Sequence, residues 1–436
     1  MLLGKYYDGI ELHREKRVLY ARFLVPHVVL STCRAAGGLQ AGLDCLLNHQ
    51  SCEPSGHKKG LPASIFNDPA AYRRLVCQQA GLESEACATL GTAANMHNAC
   101  IRAETFRDLT VVAVCTAGVE TNAGRVGDPA AVVETENGFE KTGSNKGRQR
   151  TDAELSKATG VATDSGSRRR EHRATRRTGS TPQSQRGDAQ QRARTCRHAG
   201  EGTINTMLFI SRPLTPGALV RTVVTATEAK TAALQELAVN SRYSDGPATG
   251  TGTDQIGVAA VKDDGRRPLT GAGKHVKLGE LIGRSVLAAV KGALALQNGL
   301  TPAGQCSAKI HLERLGCNRR QMTETVAGFL EKDKAALLRQ NFTAIERDPV
   351  TVAAVAAMVH LRDKFAWQIL PPSCWSEVMG SYAAQVACAV CGDYGKMEDF
   401  RRQLAPLPEE NANQDFVRLV CRAMAIGFDA KWGKIE

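Results

Sequence analysis

Apolar residues recur along this chain with two different periods. Residues 109–115 (LTVVAVC) form a β-branched run closed by Thr116-Ala117-Gly118, which predicts a buried strand ending in a turn. Val28-Val29-Leu30, opening into Ser31-Thr32 and then Gly37-Gly38, predicts a shorter strand, and residues 204–210 and 256–261 are two further candidates. Elsewhere the spacing is helical. Asp68-Pro69 offers an N-cap followed by proline at the first helical position, with Tyr72, Leu75 and Val76 behind it. Thr215-Pro216 repeats that signature, and Leu219, Val223, Thr227, Leu234 and Leu237 predict an amphipathic helix over 216–238. Another helix is expected over 276–296, with Leu278, Leu281, Ile282, Val286 and Val290 on its buried side. Gly279 and Gly283 stand one turn apart within it. Glycine in a helix interior costs about 1 kcal/mol against alanine, so close approach of another backbone or of a bulky ligand is expected there. Past Thr301-Pro302 the strand signals stop, and residues 320–340, 350–367 and 376–391 predict helices.

This order of elements predicts an α/β fold. A mixed-sheet domain is expected over 1–300, with an all-helical extension over 301–436. Charge adds an interruption. The chain carries +12, yet 15 Lys/Arg and 5 Asp/Glu fall within 141–200, a surplus of 10 that leaves +2 for the rest. That stretch has Leu155 and Val161 as its large apolar residues and no aromatic ring. It cannot bury enough surface to offset backbone ordering at roughly 1–2 kcal/mol per residue, so a disordered basic insert is expected inside the first domain. Basicity confined to such a segment argues for a tolerated surface insertion and against a specific nucleic-acid face. Fourteen cysteines are scattered, and the apolar N-terminal stretch is broken by Arg17, Arg22 and His27. Neither a secretory signal nor a membrane span is expected, and a reducing cytoplasm suits cysteines used as small buried residues.

Four short blocks gather hydroxyls, amides, glycines and ionisable groups beside the apolar runs, where α/β folds place active-site loops. In the first, His49, Glu53 and His57 fall within nine residues around Pro54 and Gly56, a turn that can bring a carboxylate to one imidazole nitrogen and leave the other as a base. Asn48 and Gln50 are two-sided amides suited to orienting another amide. The second block begins with Thr116, itself a candidate for binding, and sets Asn122, Arg125 and Asp128 in a glycine-rich loop. The third, Ala248-Thr249-Gly250-Thr251-Gly252-Thr253-Asp254, offers the Thr251 and Thr253 hydroxyls, backbone made accessible at Gly250 and Gly252, and Asp254 either to orient a base or to cap a turn. In the fourth, His275 and Lys277 open the 276–296 helix, where a cation can stabilise an oxyanion or protonate a leaving amine. Neither Gly273-Lys274-His275 nor the threonine-glycine repeat has the spacing of a phosphate-binding loop, and no serine sits in a nucleophile elbow. Water activated by a His/Glu pair is the expected nucleophile, and no metal is assigned.

At these residues the chain resembles the adenosylcobinamide amidohydrolases of corrinoid salvage. The likeness runs through Leu30-Ser31-Thr32 with Gly37-Gly38, Asn48-His49-Gln50, Cys52-Glu53-Pro54-Ser55-Gly56-His57 and Thr116-Ala117-Gly118 with Asn122-Ala123-Gly124-Arg125. It continues through Gly202-Thr203-Ile204-Asn205, Thr225-Ala226-Thr227-Glu228-Ala229-Lys230, the Ala248–Asp254 block and Lys277-Leu278-Gly279-Glu280-Leu281-Ile282-Gly283. The resemblance implies hydrolysis of the amide between corrin ring and aminopropanol, giving adenosylcobyric acid, with cobalt present as part of the substrate and no separate cofactor. A corrinoid-binding protein without catalysis is the alternative. The corrinoid is the expected partner, with no membrane and with room for a homo-oligomer. The basic insert departs from the family pattern, which needs a short link between Asp128 and Gly202.

Overall fold

The computed structural model describes residues 1–51, 65, 68–136, 138–142, 202–407 and 412–432. The basic stretch beyond residue 142 lies outside the described residues, and with it the expectation of disorder; so do Glu53 and His57. The chain divides into two compact units, Met1–Asp128 with Arg176–Leu300, and Pro129–Thr175 with Thr301–Glu436.

The strands, in chain order, are β1 Leu2–Tyr6, β2 Ile10–Glu15, β3 Val18–Phe23, β4 His27–Ser31, β5 Gly38–Ala41, β6 Cys45–Gln50, β7 Cys87–Thr92, β8 Cys100–Phe106, β9 Leu109–Thr116, β10 Ala123–Gly124, β11 Val132–Thr135, β12 Gly138–Lys141, β13 Asn205–Ile210, β14 Gly250–Thr251 and β15 Gln255–Val261. In the first unit they build a five-stranded sheet, β1-β2-β3-β6-β7, and a six-stranded sheet, β5-β4-β15-β13-β9-β8. Both sheets are mixed, because β6 is parallel to β7 and β13 to β15 while their other neighbours are antiparallel. A parallel pair cannot be closed by a tight turn and needs a crossover. Helix α1 (Pro69–Ala80) lies in the crossover from β6 to β7, and α2 (Pro216–Glu236) in that from β13 to β15. Helix α3 (Lys277–Asn298) follows β15.

Period-two alternation stacks these elements into four layers. On β13, Met207 and Phe209 point between the sheets, toward Leu46, Leu90, Val112, Val114 and Ala259. Leu208 and Ile210 point the other way, onto Leu219 of α2 and Leu281, Ile282 and Val286 of α3. Beyond the five-stranded sheet, Cys45 and Leu47 meet Val76 and Cys77 of α1. Both faces of β9 and β13 are therefore covered, which is why those segments read as unbroken apolar runs. The helix signals hold as well: the Asp68 side chain accepts from Ala70 N and Ala71 N, and Thr215 from Ala218 N. Gly279 meets another backbone as expected, since a Cβ there would stand 1.9 Å from Gly273 O, whereas Gly283 has nothing within 4 Å of that position.

The second unit carries the β11–β12 hairpin and a helical core. Helix Trp375–Cys391 packs Met379, Ala383 and Ala387 into the same cluster as Val420, Met424 and Phe428 of helix Asn413–Trp432. The helix expected over 320–340 is two, Arg319–Ala327 and Lys332–Glu346, broken after Gly328. The break folds the second piece back, so that Arg339 reaches Glu324 at 2.8 Å. Among the described residues no helix is long and apolar enough to cross a membrane.

Candidate active site

Toward one end of the sandwich, the inward positions of the strands change chemistry. On β9, Val112 and Val114 are followed by Thr116; on β13, Asn205 precedes Met207 and Phe209; on β15, Gln255 stands two residues before Gly257 and four before Ala259. The facing sheet does the same, with Asn48 and Gln50 after Leu46 on β6 and Thr92 after Leu90 on β7. Alternate residues of a strand share a face, so these side chains extend the inter-sheet core instead of leaving it. Asn48, Gln50, Thr92, Thr116 and Asn205 are each no more than 3% exposed.

The layer is held by hydrogen bonds that cross between the sheets. Asn48 Nδ2 donates to Thr116 Oγ1 at 2.8 Å, while Asn48 Oδ1 accepts from Asn205 Nδ2 at 2.8 Å. Asn205 Nδ2 also donates to Gly91 O at 3.0 Å, and Gly91 N donates to Gln255 Oε1 at 2.8 Å. Gln50 Oε1 accepts from Met96 N at 3.2 Å. Asn205 Oδ1 has no partner among the described residues. A buried polar atom left unpaired costs about 1–3 kcal/mol. Apolar side chains in these places would serve packing better, which makes the layer the candidate site of this unit.

Past the strand ends three loops are stitched together. β10 pairs with β14, joining Ala123 to Thr251 and Gly124 to Gly250, and Arg242 N donates to Ala123 O at 2.8 Å. Asp128 Oδ2 accepts from Arg125 N at 2.8 Å and from Ser241 Oγ at 2.7 Å. The Asn122 amide is engaged on both sides: Nδ2 donates to Gly202 O at 3.1 Å and Thr253 Oγ1 at 3.3 Å, and Oδ1 accepts from Tyr243 Oη at 2.8 Å. The Thr203 and Thr253 hydroxyls are bonded at 2.6 Å.

Asp254 locks the last of these loops. Its Oδ1 accepts from Ile204 N at 2.9 Å and Thr251 Oγ1 at 2.6 Å; its Oδ2 accepts from Thr251 N at 3.1 Å and pairs with the Lys230 ammonium. Four donors occupy the lone-pair sites of a carboxylate. Of the two roles offered by its sequence context, turn fastener and orienter of a base, the geometry fits the fastener. Gly250 serves the same purpose, for a Cβ there would stand 2.6 Å from Asp254 Oδ2 and 2.9 Å from Lys230 Nζ.

The fold thus brings Asn48, Gln50, Thr116, Asn122, Arg125, Thr251, Thr253 and Asp254 to one end of the first unit. It does not bring His49, His275 or Lys277 there, and Glu53 and His57 lie outside the described residues. His49, next to Asn48, points to the opposite face of its sheet, 1% exposed, with Nδ1 2.8 Å from Tyr72 Oη of α1. Burial, and then the charge of Arg17, lower its pKa to about 4, so the ring is neutral. Lys277 begins α3, with His275 just before its Val276 N-cap, and Lys277 Nζ lies 4.7 Å from the Phe106 ring centroid. Phe106 pairs with Leu109 at one end of the six-stranded sheet, while Thr116, at the other end of β9, pairs with Asn205. The 22 residues of α3 span about 33 Å between these ends. Lys277 instead bonds Glu280 Oε2 at 2.5 Å. Helical rise separates what sequence blocks seemed to join. Ser51 follows β6 directly, and its N donates to Thr92 O at 2.8 Å.

Sequence reasoning gives no role to Asn205 and Lys230, although both stand in blocks that carry the family likeness, and it does not single out Gln255 or Tyr243. Asn205 and Gln255 carry a readable signal, a polar residue at an inward strand position one period before the apolar run. Lys230 on α2 is marked by its likeness block alone, and Tyr243 in a loop carries no signal.

Comparison with known proteins covers this same region. Over 228 residues the chain is 31% identical to an uncharacterized protein of Methanocaldococcus jannaschii, a match spanning 52% of this chain and 70% of that protein. The family model described as adenosylcobinamide amidohydrolase matches residues 3–302, which include both sheets, α1 to α3 and the polar layer. The chain belongs to the adenosylcobinamide amidohydrolase family.

Proposed function

We propose that this chain cuts the amide joining the corrin ring of adenosylcobinamide to its aminopropanol arm. Water is consumed, adenosylcobyric acid and the free amine are released, and the acid can re-enter cobalamin assembly with another lower ligand. The observation that carries this reading is the buried amide and hydroxyl layer lying wholly within the family-matched residues. Cobalt enters with the substrate, and the reading includes no separate cofactor.

The chemistry asks for three things: a base to take a proton from water, donors for the oxyanion as the carbonyl becomes tetrahedral, and an acid for the departing amine. Glu53 and His57 are assigned the base and acid work, since a carboxylate and an imidazole four residues apart around Pro54 and Gly56 suit that pairing and both follow β6 closely in sequence. Recognition of peripheral carboxamides is assigned to the exposed Gly252 backbone of this loop, because the Asn122 amide is engaged on both sides and the Thr253 hydroxyl already bonds Asn122, Thr203 and Gly202 O. Thr251 and Arg125 support that loop. Incubating the full chain with adenosylcobinamide and following the products by mass spectrometry tests the reading. Adenosylcobyric acid with one equivalent of aminopropanol is expected. Binding without either product would replace it with a corrinoid-binding role.

A further inference from the structure

Aromatic rings are scarce where the loops of the first unit meet. Among its described residues, Phe209 is core, Tyr6, Tyr7 and Phe23 pack against that same core, Tyr20 and Tyr72 pack on the other face of the five-stranded sheet, and Phe106 lies at the far end beside Lys277. Tyr243 is different. Its hydroxyl donates to Asn122 Oδ1 at 2.8 Å, and Asn122 donates onward to Thr253 Oγ1 at 3.3 Å, which ties the ring to the loop assigned to the substrate. The ring rests on Gly124, where an added Cβ would stand 3.3 Å from Tyr243 Cδ2. Its backbone is fixed too: Tyr243 N donates to Ser241 Oγ at 3.1 Å, and Ser241 Oγ donates to Asp128 Oδ2 at 2.7 Å. The side chain is partly exposed. It is an aromatic plate whose polar tip is already bonded and whose apolar surface is set in place before a ligand arrives.

We propose that Tyr243 stacks on the adenine of the adenosyl group and thereby selects adenosylated over other corrinoids. The assignment rests on adenosylcobinamide being the substrate. A corrin rim is crowded with methyl and carboxamide groups, whereas adenine is the flat π-surface of this substrate. A ring pinned at both ends loses little further freedom on stacking.

The test is equilibrium dialysis, read by corrin absorbance, with adenosylcobinamide and with dicyanocobinamide, which lacks adenine. Tyr243→Ala should weaken adenosylcobinamide binding about tenfold or more, the scale of one lost base stack, and leave dicyanocobinamide within about twofold. In turnover the same variant should raise KM with kcat retained. Tyr243→Phe keeps the plate and should stay within about threefold of the parent for both ligands. Tyr243→Leu, which keeps the bulk, should repeat the selective loss if the alanine variant folds poorly. Equal losses for both corrinoids, or none, would overturn the stacking assignment while leaving the amidohydrolase reading intact. A parent protein that neither binds nor cleaves adenosylcobinamide would remove both.

Discussion

Two lysines beside small-residue blocks meet different fates in this fold. Lys230 and Asp254 are each 15% exposed in their side chains and pair with one another, while Lys277 is 39% exposed and pairs with a neighbour on its own helix. Removing one member of the first pair leaves a largely buried charge, which costs about 3–5 kcal/mol, whereas removing both costs less. Lys230→Met and Asp254→Asn should therefore each lower the urea midpoint strongly, with the double variant more stable than the sum of the two losses; strict additivity would show the pair to be independent. Lys277→Ala should change stability by less than about 1 kcal/mol, as for exposed pairs, and should leave turnover within about twofold because the residue sits at the far end of the sheet. Glu53→Gln and His57→Ala should each reduce turnover at least about tenfold, the scale of a lost acid–base contribution. A Lys277→Ala enzyme as impaired as those two would reverse this division of labour.

Glycine spacing on α3 shows at the scale of an element what pattern can and cannot convey. Gly279 and Gly283 are equivalent in sequence, one helical turn apart, yet only the first has backbone pressed against it. Gly279→Ala must push Gly273 O aside and should destabilise by about 2 kcal/mol or more, in the range of other overpacked positions. Gly283→Ala meets open space and should stabilise by up to about 1 kcal/mol, the helix-propensity difference. Thermal melts of the two variants, moving in opposite directions, would confirm the asymmetry.

The same contrast runs through the rest of the chain. Strands at 109–115, 204–210 and 256–261 were legible because covering a sheet on both faces demands continuous apolar residues, and α1 and α2 because Asp68-Pro69 and Thr215-Pro216 cap locally. Asn48 and Gln50 were legible as amides, but that His49 turns away from them follows from strand alternation, once β6 is known to be a strand. The pairing of Lys230 with Asp254 spans 24 residues and a crossover, and no local pattern encodes it. Lys277 was misplaced because its block adjoins the others in composition, while α3 carries its two ends to opposite ends of the sheet.

Acid stability is a property of the whole molecule, and here it turns on histidines. His27 is fully buried, with Nδ1 donating to Val25 O at 2.7 Å and Nε2 accepting from Tyr7 Oη at 3.0 Å. Burial lowers its pKa to about 4, as it does for His49 on the other sheet. His311 in the second unit is lowered by burial and by Arg314. In the unfolded chain each histidine titrates near 6.5. Between pH 6.5 and 4 the unfolded chain therefore binds protons that the folded protein refuses, so stability falls as pH falls through this window. The contribution is intact above pH 6.5 and is being lost well before most carboxylates protonate. From pH 7 to pH 5 the loss should be about 2 kcal/mol for each of His27 and His49. Urea midpoints of the parent protein should drop over that interval, and His49→Gln, which cannot take up a proton, should drop less. His49 keeps its Tyr72 contact in either protonation state, because a hydroxyl can accept as well as donate. The penalty is then desolvation of the charge itself, and a parent midpoint that does not move between pH 7 and pH 5 would mean that these two rings are not sealed from water as their burial requires.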